Sequence, residues 1–147
     1  MTRADRDLPE HAYVPGQTPR HAEGRFAPIC ATARQHMSSA QLAQSEAFCA
    51  GLYYFQSGYF WEAHELFEPV WMALEEGSDD RRFLQALIQL ANAQLKIKMQ
   101  RPKAAKRLCI MVRDLLTTLT ATRLMGQEIS QIVECLDAVE SHVDSVL

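Results

Sequence analysis

After Pro28 the apolar residues recur at three- and four-residue steps, and no segment shows the strict alternation of a half-buried strand. The last stretch is typical: beyond Gly126, Ile129, Ile132, Val133, Leu136, Val139 and Val143 fall on one helical face. Punctuation divides the chain. Ser38 and Ser39 are placed to cap a segment that runs to Gly58, and Gly77, Ser78, Asp79 and Asp80 close one helix and cap the next. Pro102 suits a helical first turn, where its missing N–H costs nothing. The pattern predicts an all-α domain over residues 28–147, with about five or six helices joined by short turns and therefore antiparallel to their neighbours.

Residues 1–27 read differently. Four of the six prolines and two of the six glycines lie before residue 29, in a stretch without periodicity. Its Tyr13-Val14-Pro15-Gly16 and Arg20-His21 are too specific for a low-complexity linker. An irregular arm is expected, lying against the helices from about Tyr13, with its first several residues frayed.

The segment Tyr59 to Glu76 divides cleanly at about 100° of rotation per residue. Tyr59, Phe60, Ala63, Leu66, Phe67, Val70, Trp71 and Leu74 share one arc of roughly 140°, the core face. Opposite lie His64, Glu65, Glu68 and Glu75, together with Trp61 and Met72, which a freely solvated face would not choose. Something is expected to cover that face. Pro69 lies inside the pattern and removes the hydrogen bond to Glu65.

From Arg82 to Met99 apolar residues surround most of the circumference, the pattern of a central buried helix. Gln85, Gln89, Asn92 and Lys96 nevertheless share a polar stripe. Buried amides and an ammonium need partners, and the nearest in sequence are the carboxylates of the preceding helix. Glu65 and Glu68, with His64, are therefore expected to face Gln89, Asn92 and Lys96. Such a network can be structural, with Lys96 neutralising a carboxylate. It can also hold a divalent metal: His64 and Glu68 are four apart and can ligate one ion, and His64-Glu65-x-x-Glu68 imitates the H-E-x-x-H of zinc peptidases with glutamate in place of the second histidine.

Composition narrows the classes. Fifteen Lys and Arg against 18 Asp and Glu give a net charge of -3, which excludes a strongly basic nucleic-acid binder. Arg101, Lys103, Lys106 and Arg107 form the densest basic patch, without interleaved aromatics, and read as a solvated face. Seven acidic residues lie between Glu62 and Asp80 and nine basic ones between Arg81 and Arg113, two blocks expected to complement each other. No run is long and apolar enough for a membrane helix or a signal peptide, so a soluble cytoplasmic protein is expected. Cys30, Cys49, Cys109 and Cys135 form no C-x-x-C clip and read as reduced thiols. Trp61, Met72 and Ile110, off the main apolar stripes, suggest a surface for a homodimer.

The run Gly58-Tyr59-Phe60-Trp61-Glu62-Ala63-His64-Glu65-Leu66-Phe67-Glu68-Pro69-Val70-Trp71, followed by Phe83 to Ala93 and Lys96, resembles the signature of domain-of-unknown-function family 309. The arm segments Tyr13-Val14-Pro15-Gly16 and Pro19-Arg20-His21 are similar to the opening of its longer members. The resemblance implies a compact helical fold and assigns no reaction. It marks Glu62, His64, Glu65, Glu68, Gln89 and Lys96 as the positions a family site would use. Two function classes remain. The residues favour a non-catalytic module that binds a small ligand or a protein through the polar site between the third and fourth helices. The alternative is a metal-dependent or general-base enzyme, hydrolase-like, using Glu65 or Glu68 with His64.

Overall fold

The computed structural model describes residues 8–147; the expected fraying of the first several residues lies outside them. The fold is all-α. Helices α1 (Ala27–Cys30), α2 (Ser39–Gln44), α3 (Glu46–Gln56), α4 (Phe60–Ala73), α5 (Asp79–Lys98), α6 (Pro102–Thr117) and α7 (Ile129–Val146) are joined by short turns. The one extended element among the described residues is a ladder of two-residue strands, β1 (Arg123–Leu124) and β2 (Gln127–Glu128), between α6 and α7. Met125 and Gly126, both at positive φ (49° and 76°), form its tight turn, and a ladder this short leaves no alternation to read in the sequence.

The expected single segment from Ser38 to Gly58 is two helices. Ser38 caps α2 in a capping box with Gln41. At Ser45 the backbone turns extended, and its hydroxyl donates to Leu42 O (2.6 Å) while accepting from Phe48 N (3.2 Å). One side chain thus ends α2 and starts α3. Helix α3 finishes in a Schellman closure, with Tyr59 N donating to Tyr54 O and Gly58 N to Phe55 O, which requires the positive φ of +85° that Gly58 supplies. Where α3 crosses α4, a Cβ on Gly51 would lie 2.6 Å from the Phe67 ring, so the absence of a side chain is what lets the two helices approach.

Helix α5 is the centre. Phe83, Leu84, Leu87, Ile88 and Ala91 face one core, shared with α3 and α4. Ala86, Leu90 and Ala93 face a second core, shared with α6 and α7 through Ala105, Cys109, Val112, Leu136 and Val143. Two cores on opposite sides explain why α5 is apolar almost all round. At the edge of the second core Leu108 is only half-buried, while its neighbour Cys109 is fully covered. The acidic and basic blocks meet directly, among the described residues, only in the local pair Arg82–Asp79. Lys106 instead pairs with Asp144 (2.9 Å), and Arg113 with Asp137 (2.6 Å) and Glu140, so the basic block is matched by α7. Met72 and Ile110 remain exposed. No helix among the described residues is long and apolar enough to cross a membrane.

Candidate functional site

Helix α4 carries the motif residues on more than one face. Glu62 points inward and is fully buried. Its Oε2 accepts from the backbone N–H of Tyr13 (2.7 Å) and lies 2.5 Å from Nε2 of His21, whose side chain is itself almost completely covered. Both partners belong to the arm. A buried carboxylate is tolerated only when paired and hydrogen-bonded, and here both kinds of partner come from the segment that lacks regular structure. The other oxygen, Oε1, is buried without a hydrogen-bond partner.

Several further contacts fix the arm. Pro15-Gly16 forms a turn closed by Gln17 N to Val14 O (2.9 Å), and Thr18 Oγ1 braces it by accepting from Val14 N and donating to Ala12 O. Tyr59 donates its hydroxyl hydrogen to Pro9 O (2.8 Å), and Gln17 donates to the carbonyl of Lys98 at the end of α5 (2.6 Å). Tyr13 meets Trp61 edge-on at 5.1 Å, and His21 packs edge-on against Phe26 at 5.2 Å and stacks with His11 at 5.1 Å. Trp61, which did not belong on a solvated face, is partly covered by the rings of Tyr13, His21 and Phe26.

His64 and Glu68 turn away from that joint. His64 Nε2 sits 3.1 Å from Glu68 Oε2, a half-exposed pair one helical turn apart. Glu65 sits 3.9 Å from the other imidazole nitrogen and lines a cavity on the arm side. Glu68 shares a small cleft between α4 and α5, about 170 Å³, with Trp71, Gln85, Ile88 and Gln89. Asn92 donates a long 3.5 Å hydrogen bond to Gln89 Oε1. Lys96 is half-buried further along α5, and among the described residues its side chain makes no ion pair with Glu65 or Glu68; its backbone carbonyl takes part in the helix end by accepting from Arg101 N (2.9 Å). Of the residues expected to face one another, Glu68 and Gln89 thus share a cleft, while Glu65 turns toward the arm.

Two details bear on chemistry. Pro69 has no N–H to give the carbonyl of Glu65, and the thiol of Cys30 on α1 donates to that oxygen instead, at 3.5 Å. Burial pushes the Cys30 thiol above the ordinary cysteine range, and Glu65 and Glu68 push in the same direction. Trp71, whose ring lies 4.4 Å under the Arg81 guanidinium, has a buried indole N–H without an acceptor. As for a metal, the described residues contain no group of three or more His, Cys, Asp or Glu side chains able to hold one; His64 and Glu68 are two donors.

The part of the site that sequence reasoning did not assemble is the arm's share, Tyr13 and His21 on Glu62. A signal existed: Glu62 lies only about 40° beyond Leu66 on the helical wheel, at the edge of the apolar arc. No curated protein and no solved structure matches the chain. A family model does match, over residues 48–108, the stretch that holds all of α4 and α5, and it is that of the family described as Domain of unknown function (DUF309), the family whose signature the motif resembles.

Proposed function

We propose that the protein is a non-catalytic binding module whose polar site between α4 and α5 takes hold of a small ligand or a group on a protein. The observation that carries this is the indole N–H of Trp71, buried without an acceptor beside the cleft it forms with Glu68, Gln85 and Gln89. A buried donor left unpaired costs about 1–3 kcal/mol, and a carbonyl arriving in the cleft would recover it. Glu68 offers the complementary acceptor and the two glutamines offer both kinds of group. The chemistry suited to such a cleft is an amide, whose oxygen takes the indole hydrogen while its N–H goes to Glu68.

The enzymatic alternative draws less support from the same residues. His64 and Glu68 are engaged with one another, and the acid, base or ligand roles would need them aimed at a third group.

The test is a nuclear-magnetic-resonance titration with acetamide, following the two indole N–H resonances after assignment in Trp61→Phe. The Trp71 resonance is expected to move with acetamide, to stay with acetate, and to lose its response in Glu68→Ala. A Trp71 resonance indifferent to acetamide would sink the reading.

A further inference from the structure

We propose that the cavity beneath the arm is a second, separate ligand site, and that it takes a flat aromatic carboxylate. The cavity measures about 470 Å³, within the roughly 300–1,000 Å³ of small-molecule pockets. Rings form its walls: Tyr13, His21, Phe26 and Trp61, with Trp61 6.2 Å from Phe26 and 6.1 Å from His21. Edge-on and tilted rings around an open space leave faces and edges against which another flat ring packs.

The charge comes from Arg20 and Arg25, both exposed and both lining the cavity. Each guanidinium lies over an aromatic ring, Arg20 at 6.0 Å from the Tyr13 centroid and Arg25 at 5.8 Å from that of Phe26. Neither has a carboxylate within ion-pair distance among the described residues, whereas Arg82, Arg113 and Arg123 each have one. An arginine fork left open beside an aromatic wall matches a carboxylate on a ring, because the planar guanidinium bonds both carboxylate oxygens at once. Glu23 and Glu65 also line the cavity and offset the charge of the two arginines, so a carboxylate is selected by the bidentate guanidinium fork and not by a net positive field.

The back of the site is rigid for a reason that does not involve a ligand. Fully buried Glu62 fixes both His21 and the Tyr13 backbone, so two of the walls are held before anything binds. A preformed wall lowers the ordering cost of binding. The arm is thereby both the roof of the cavity and the source of its cations.

Three naphthalenes of one shape decide the matter on the full chain: naphthalene-2-carboxylate, its carboxamide, and 2-(aminomethyl)naphthalene, each titrated while the Trp61 and Trp71 indole resonances are followed. The carboxylate is expected to move Trp61 and leave Trp71 in place, and to bind at least about tenfold tighter than the carboxamide. In the Arg20→Gln, Arg25→Gln double variant, which changes only exposed side chains, acid and amide should bind within about twofold of each other. Equal binding of acid and amide to the unaltered chain would overturn the proposal. So would tightest binding by the amine, or a Trp61 resonance that none of the three moves.

Discussion

The arm joint and the α6–α7 seam hold the molecule together in opposite ways. At the joint one buried carboxylate gathers a backbone N–H and an imidazole from a segment without regular structure. At the seam the core is plainly apolar, Val112 and Leu116 against Leu136, Val139 and Val143, and the charges of Lys106, Arg113, Asp137 and Asp144 lie outside it in water. Specificity therefore sits at the joint. An apolar seam accepts many substitutions of similar volume, while a buried ion has one acceptable set of partners, and losing one leaves the other stranded.

The joint is tested most severely by Glu62→Ala, which leaves His21 and the Tyr13 N–H buried and unpaired. A loss of about 3–5 kcal/mol is expected in urea unfolding, with cleavage of the arm by protease at lower urea than in the unaltered chain. A loss below about 1 kcal/mol would mean that water replaces Glu62 easily.

Next in size is Gly51→Ala, where the new methyl meets the Phe67 ring. About 1–3 kcal/mol should be lost, and Phe67→Leu in the same chain should lose less than the sum of the two single changes. Strict additivity would show that α3 and α4 simply move apart.

On the seam side, Arg113→Ala should cost less than about 1 kcal/mol, an effect that shrinks further in high salt because the pair lies at the surface. A larger, salt-independent loss would show that Arg113 acts through its packed stem.

The smallest effect is kinetic. The thiolate is the species that reacts, and the Cys30 thiol is held above its ordinary range by burial and then by Glu65. Alkylation of Cys30 should therefore accelerate only at higher pH than for a free cysteine, and Glu65→Gln, which removes one of the causes, should move that onset down with little change in stability. An onset unmoved by Glu65→Gln would leave burial as the whole cause.

Periodicity made the helices legible, and with them the all-α class, the starts at Ser38, Ser78 and Pro102, and the buried character of α5. The break at Ser45 was less visible, since a serine reads as a cap only when the chain on both sides bonds to it. In the candidate site the motif could be found from its letters, yet two helical wheels could not say which residues meet. About a third of a turn around α4 separates a cleft shared by Glu68 and Gln89 from a joint that takes Glu62 to the arm.

Near neighbours in the chain dictate the helical faces, the caps, the lost hydrogen bond at Pro69 and the oddity of Trp61 among charges. These depend on backbone geometry repeated every few residues, so local order carries them. Packing of the whole chain is what buries Glu62, makes Tyr13 and His21, 49 and 41 residues away in the chain, its partners, and puts Cys30 in the place Pro69 leaves empty at Glu65. Those pairings join an aperiodic arm to a periodic helix, and an aperiodic segment has no repeat from which its register can be read. Its position is set by the need of one buried carboxylate for partners, which is a property of the packed molecule.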